Sequence, residues 1–478
     1  MNELVKNTAI QILESAPCSM EMPAGTGKTE LLAAAAAVAA LDGRRSLILT
    51  HTNAGVDAIR KRLRLFGVDS KAAHVDTITS WSFSLVGAYS DIAETVVPEN
   101  PDWSDSDSYV TGATKVARSS AAIKMHIESF DYLLVDEYQD CTLLQHEFVL
   151  ALAAAVLKTV IFGDRLQAIF GFAGALAEWD RHVLPDFPAY TVAYEAHRWA
   201  GHNPELGRWL LELRPSMVSG TRFDFAEHII PGLNWVQGSG PSTLAAVAHA
   251  FRDFDETVVL LDKWPADVAS HASRLGGSYS VMEDIQGNFM RRQITLLPSS
   301  GDPELALWFA KFAKECVVGL ATIDQPILNR LSRNEQINHY ARPSIQTIVT
   351  SLEALRADPT YEQLHIAAQV IRGAASTKVY RWEAWNDTLE AIAMNIENGE
   401  PVLANFSKVR ERLRRSGRRK HSRIASRTLL VKGLEYDHVI IADLSKIKDP
   451  KNLYVALTRA RKSVTIIGQS SSVILQDD

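Results

Sequence analysis

The 478-residue sequence predicts an α/β protein built on two separate parallel-sheet cores. Three observations predict it. Short apolar runs recur, at Ser46–Thr50, Tyr132–Val135, Thr159–Phe162, Thr257–Leu261, His438–Ala442 and Ser463–Gly468. Such runs, ending in polar or glycine residues, suit strands buried on both faces of a parallel sheet. Stretches of helical periodicity lie between them, the alternation that makes an α/β layer structure. The runs fall into two groups, before about residue 190 and after about residue 250, which asks for two sheets.

In chain order, the first core spans 1–188 and holds a small polar, Ser/Asp-rich surface insertion at about 93–130. The second core spans 189–300 and 403–478. Between its halves, 301–402 is rich in helical periodicity and poor in strand signals, so it reads as a helical insertion. No repeat of fixed period is visible.

Hydrophobic residues make up 46% and charged residues 22%, enough to bury a core without disulfides. Cys18, Cys141 and Cys316 show no metal or bridge spacing, which fits a reducing, cytoplasmic setting. The longest apolar run, Leu31–Leu41, is mostly alanine and falls short of the ~20 residues that span a bilayer. The N-terminus lacks the basic start and apolar centre of a targeting segment, so no membrane partner is expected. With a net charge of −6, any polyanion must be held by local basic surface. The strong basic run is Arg410–Arg427, including Arg414, Arg415, Arg418, Arg419 and Lys420. Taken alone it reads as a solvated helix face and loop.

Chemistry enters at Met22-Pro23-Ala24-Gly25-Thr26-Gly27-Lys28-Thr29, a P-loop in which Met22 replaces the first glycine. Gly25 and Gly27 let the backbone curl its N–H groups toward phosphate oxygens. The helix that starts near Lys28 adds its positive end. Lys28 is placed to reach the β- and γ-phosphates and Thr29 to ligate Mg²⁺. Ala24 through Glu30 thus form the nucleotide cradle. Asp136-Glu137 follows the apolar run Tyr132–Val135. In that context Asp136 would hold Mg²⁺ and Glu137 would orient and deprotonate the attacking water. Trp81 and Leu85 share a helix face and read as core. His146-Glu147 lacks a second histidine for a metal and reads as helix surface.

Further motifs follow in order: Leu49–Gly55 (LTHTNAG), Asp76–Trp81 (DTITSW), Val135–Asp140 (VDEYQD) and Gly163–Phe170 (GDRLQAIF), then His197-Arg198-Trp199, Lys432–Asp437 (KGLEYD) and Tyr454–Arg461 (YVALTRAR). This ordered set resembles the UvrD/Rep/PcrA group of superfamily 1A DNA helicases, and it touches both cores. The resemblance implies two RecA-like P-loop NTPase cores, ATP as substrate, Mg²⁺, and movement 3′→5′ on single-stranded or partly duplex DNA. It implies that Gln167 senses the γ-phosphate, and that Arg198 and Arg459 reach it from the second core, so that hydrolysis is linked to cleft closure. Such arginines are worth about 10³–10⁵ in rate. Glu435 would contact the ribose. Gln11 would read adenine, or is a solvent-facing glutamine. His51, Thr52, Asn53, Thr77, Phe172 and Lys432 would face DNA.

The chain departs from the family at several positions. His197 stands where a tyrosine stacks on adenine, and Glu30 where an arginine often follows the P-loop threonine. His51 replaces a common phenylalanine, Phe172-Ala173-Gly174-Ala175 replaces WRGA, and Leu429-Leu430 replaces a His-Ser pair. These changes put base selectivity and DNA contact in doubt, rather than hydrolysis. The slim insertions resemble the compact UvrD-like proteins of Gabija-type anti-phage systems, which implies an OLD-family nuclease as partner. Two alternatives stand beside this reading: a nucleotide-gated sensor or adaptor that does not unwind, and an RNA helicase of superfamily 1B.

Overall fold

The computed structural model describes residues 1–98, 105–170, 174–252, 255–284, 286–337, 343–416 and 421–477, with backbone alone for 343–345 and 414–416. Phe172 and Ala173, and Arg418, Arg419 and Lys420 of the basic run, lie outside the described residues.

Contacts divide the chain into two units, Met1–Thr221 with Asp449–Thr458, and Arg222–Lys448 with Arg459–Asp478. The expected boundary at 188/189 differs from this division. Residues 189–221 carry helices that pack with the first unit, and the helix Pro450–Thr458 joins them.

In the first unit, β1 (Cys18–Glu21), β2 (Ser46–Thr50), β3 (Ala73–Thr77), β4 (Tyr132–Val135) and β5 (Lys158–Gly163) form one sheet in the order β1-β5-β4-β2-β3. Every pairing is parallel. All strands therefore point their carboxyl ends to one edge, where loops can converge on a ligand. The helix Lys28–Leu41 lies against one face of the sheet. Its residues Ala33–Ala36 are fully buried in a cluster with Leu134, Val160 and Phe162. Alanine is the best helix former, and its short side chain lets the helix approach the strands closely. The helix Asn53–Leu65 starts at Thr52, whose side chain accepts the Gly55 amide, and the helix Leu143–Ala153 starts with a Thr142/Gln145 capping box.

The expected surface insertion at about 93–130 is corrected by the structure. The helix Ser106–Ala117 buries Tyr109, Val110, Ala113, Val116 and Ala117. The last four belong to one cluster with Leu47, Leu133 and Ile161 of the sheet. The spacing of these apolar residues at one helical face, rather than the polar composition of the segment, decided its fate.

The second unit's strands are β6 (Arg222–Asp224), β7 (Leu233–Gln237), β8 (Val258–Leu261), β9 (Ser280–Val281), β10 (Val317–Val318), β11 (Lys378–Val379), β12 (Arg423–Ser426), β13 (Tyr436–Ile441), β14 (Ala460–Gly468) and β15 (Ser472–Ile474). Six of them form an all-parallel sheet in the order β7-β14-β13-β8-β12-β9. Two small antiparallel pairs, β10/β11 and β15/β6, stand outside it. The architecture is α/β with two parallel sheets, consistent with two RecA-like cores.

Helices from Asn288 to Ser416 share one apolar cluster running from Phe289 to Phe406, somewhat wider than the expected 301–402. Phe312 stacks on Trp308 and on Trp385, with centroids 5.2 and 5.7 Å away. Arg410, the first residue of the basic run, is buried here. It donates to Asp387 at 2.6 Å and to the Asp284 carbonyl at 2.7 Å. The run's end is strand β12. A reading of 410–427 as one solvated face is thus corrected at both ends: Arg410 pins two helices together, and Arg423–Ser426 lies inside the sheet.

Candidate active site

β1 ends at Glu21, and the chain turns through Met22–Gly27 into the helix Lys28–Leu41. The Met22 amide donates to the Gly163 carbonyl at 2.9 Å, and Thr26 Oγ1 closes the loop on the Pro23 carbonyl at 2.8 Å. Gly25 and Gly27 hold φ of 71° and 88°, the left-handed region that glycine enters freely. Space forbids a side chain at Gly25 as well. A β-carbon there would stand 2.8 Å from both Arg198 Cβ and the Trp199 ring.

Lys28 is buried, and among the described residues its Nζ has no hydrogen-bond partner. Glu137 Oε2 stands 3.5 Å away. Burial pushes the ammonium pKa down, but Glu137, Asp136, Asp164 and Asp140 outweigh it, and the net direction is up. A buried ammonium leaves strong donors unmet, which is costly unless acceptor oxygens come to it. Phosphate oxygens would meet that need. Thr29 follows half-buried. Glu30 faces Arg62 at 3.6 Å in an exposed pair, which turns it toward the neighbouring helix.

Asp136 caps β4, is 3% exposed, and accepts the Glu137 amide at 3.0 Å. Glu137 has φ of 54°, a left-handed conformation that costs a non-glycine residue about 1–3 kcal/mol. Gln139 holds it there: its Nε2 donates to Glu137 Oε2, while its Oε1 accepts the Asp164 amide at 2.9 Å. Beyond β5, Asp164 Oδ2 accepts Gln167 Nε2 at 2.9 Å. The edge β1-β5-β4 therefore brings Lys28, Glu137 and Gln167 into one linked group. His146, expected on a helix surface, is buried instead and meets the Tyr138 hydroxyl at 2.7 Å. A small helix-facing polar pair replaces solvent for that imidazole.

His197 and Arg198 were expected on the second core, but they belong to the first unit. The Arg198 amide donates to the Gly25 carbonyl at 3.0 Å, and its guanidinium donates to the Thr458 carbonyl. His197 Cδ2 lies 3.3 Å from where a β-carbon on Gly27 would stand. The reading of Arg198 as a residue arriving from the opposite core is corrected: it is built onto the P-loop itself. Arg459 does belong to the second unit, where it is buried and donates to the Leu434 carbonyl at 3.3 Å.

Sequence reasoning missed Arg214. Its Nη1 donates to Asp164 and to the Tyr454 hydroxyl, each at 2.9 Å, and its Nη2 to Glu21 at 3.1 Å. Burial lowers its pKa, but Asp164 and Tyr454 more than restore it, so the net direction is up. No motif marks Arg-Pro-Ser at 214–216. Gln139 and Tyr454 sit inside recognised motifs, but their roles emerge only from contacts.

The expected DNA-facing residues scatter along both units. His51 is half-buried with Nε2 3.4 Å from Cys141 Sγ, and Thr52 and Asn53 are exposed at a helix start. Thr77 is buried and caps the helix Ile78–Ala88 by accepting the Ser80 amide, a structural duty. In the second unit, Lys432 is half-buried and Glu435 exposed, both in the loop before β13. Gln11 is exposed on the helix Glu3–Glu14. Among the described residues, no helix is long and apolar enough to cross a membrane, and no group of three or more His, Cys, Asp or Glu could hold a metal.

The family model for the UvrD/REP helicase N-terminal domain matches residues 94–187, and that for the viral superfamily 1 RNA helicase core domain matches residues 371–468. Three curated relatives are similar over short stretches. DNA helicase II of Escherichia coli is 41% identical over 69 residues, 14% of this chain and 10% of that protein. DNA helicase II of Haemophilus influenzae is 34% identical over 73 residues, 15% of this chain and 10% of that protein. A probable DNA helicase of Mycoplasma pneumoniae is 35% identical over 81 residues, 17% and 15% of the two chains. The matched stretches cover a small part of these relatives' length. Over these stretches the chain is similar to UvrD-like DNA helicases.

Proposed function

We propose that the chain is an ATP-driven motor on DNA, a DNA-dependent ATPase that moves 3′→5′ on single strands. One observation carries the reading: the buried Lys28 ammonium, short of hydrogen-bond acceptors, beside the Glu137 carboxylate at the mouth of a glycine loop. Lys28 would bind the β- and γ-phosphates of ATP. Thr29 and Asp136 would hold Mg²⁺, which suits a cation that takes one or two protein ligands and fills the rest with phosphate and water. Held by these two residues, Mg²⁺ would supply neutralisation of phosphate charge. Glu137 would accept the proton of the attacking water, a general-base contribution of about 10²–10⁴. Gln167 would orient on the γ-phosphate, and Arg198 and Arg459 would offset charge on the transferred group. Arg459 alone of the two arginines belongs to the second unit, so it is the candidate for linking hydrolysis to movement.

We extend the reading to partnership with an OLD-family nuclease in anti-phage defence of the Gabija type. Its support is the motif resemblance together with slim insertions. Co-expression with such a nuclease should give one complex on size exclusion, and two separate species would count against it.

A second reading, movement on RNA, has one observation in its favour: the match of 371–468 to a viral RNA helicase core. Streptavidin displacement separates the readings. With ATP, the protein should release streptavidin from the 5′ end of a biotinylated DNA strand, and not from the 3′ end. Release only from RNA would favour the second reading. ATP binding with no release from either polymer would favour a nucleotide-gated adaptor.

A further inference from the structure

The carboxyl edge of the second sheet carries an aromatic ring that no role above uses. β8 ends at Leu261, and the chain turns through Asp262, Lys263 and Trp264 before the helix Pro265–Arg274. Trp264 is 56% exposed, the most exposed aromatic among the described residues. Lys263 Nζ lies 5.4 Å from its ring centroid, within cation–π reach. One face of the indole is thus associated with a cation, while much of the ring stays in solvent.

The turn beneath it is fixed. Asp262 is 1% exposed and accepts the Lys263 amide at 2.6 Å. Its other oxygen meets His271 Nε2 at 2.8 Å and Lys446 Nζ at 3.4 Å, and Lys446 continues to Asp267 at 2.7 Å. The Asp262 amide donates to the Ser426 carbonyl at 3.1 Å, which ties the turn to the end of β12. The chain that leaves β12 passes through one short helical turn, Thr428–Val431, to Lys432. Adjacent strands β8 and β12 therefore present, on one edge, an anchored turn bearing a lysine and an exposed indole, and a loop ending in a second lysine.

We propose that Trp264 is a stacking platform for a base of single-stranded DNA, with Lys263 beside it to meet the backbone phosphate. The inference rests on the DNA-motor reading and adds a contact that its motifs do not include. Every base offers a π-face, so this contact is tolerant of sequence, as a moving protein requires. The anchored turn means that little ordering is needed when the base arrives.

Fluorescence-anisotropy titration of a labelled oligo-dT strand with the full chain tests it. Trp264→Ala should weaken binding roughly 5- to 100-fold, while Trp264→Phe stays close to wild type. On a strand of the same length carrying abasic sites, wild type and Trp264→Ala should bind alike. ATP hydrolysis without DNA should be unchanged, since Trp264 is not among the residues assigned to the nucleotide. If wild type binds oligo-dT and Trp264→Ala binds equally well, stacking is overturned and the motor reading stands. If Trp264→Ala weakens intact and abasic strands equally, stacking is likewise overturned. If wild type binds no single strand at all, both fall.

Discussion

Arg214 grips Asp164 from fifty positions down the chain, donating from Nη1 to Oδ1 at 2.9 Å. Asp164 is fully buried, and its second oxygen holds the Gln167 amide group at 2.9 Å. The guanidinium therefore sets the place of a glutamine it does not touch. Arg214→Ala would leave a buried carboxylate without its partner, a change worth about 3–5 kcal/mol. Urea unfolding should show that loss. Arg214→Lys should recover part of it, keeping the charge but losing the fork. A midpoint for Arg214→Ala equal to wild type would contradict the assignment.

Gly25 is limited both by φ and by space. An alanine there would meet Arg198 Cβ and the Trp199 ring at 2.8 Å, so the loop or the helix His197–Ala200 must shift. Gly25→Ala should lower affinity for a fluorescent ATP analogue at least about tenfold, as misplacing a ligand contact by a fraction of an ångström does. Gly43→Ala is the control, with φ of 69° and nothing within 4 Å of the added carbon. It should cost about 1–2 kcal/mol of stability and leave affinity alone. Equal affinities for the Gly25 variant and wild type would argue against a phosphate-binding role for the loop.

His126 sets an acid limit on stability. Burial holds its pKa below the ordinary 6.5, with its bond to the Ala122 carbonyl opposing in part. The unfolded chain takes up a proton that the folded one refuses, so this contribution is full above 6.5 and is lost as pH falls below it. His146 shifts the same way for the same first cause. The thermal midpoint should therefore fall from about pH 7.5 to about pH 5.5, and fall less in His126→Leu. Parallel falls in the two proteins would assign the acid sensitivity elsewhere.

Central strands were legible in the sequence because burial on both faces forces continuous apolar runs. Ser46–Thr50 and Tyr132–Val135 coincide with β2 and β4. Edge strands were not. β1, β3 and β7 lie at sheet edges, and β3 alternates apolar and polar residues because one of its faces is wetter. β12 is internal but reads Arg-Ile-Ala-Ser, and its position in a basic run hid it. The grouping of the candidate nucleotide residues was legible because glycine spacing and an acidic pair after a strand carry local geometry. Arg214 was not, because its role exists only through three partners distant in sequence. Arg198 was legible as a residue but misplaced, since a motif gives chemistry and not the unit that carries it.

Phosphate release from ATP, with and without single-stranded DNA, tests the central claim most directly. Wild type should hydrolyse ATP faster when DNA is present. Glu137→Gln should still bind nucleotide while losing about 10²–10⁴ of that turnover, and Lys28→Ala should lose binding as well. Turnover that persists in both variants, or that ignores DNA in wild type, would contradict the account.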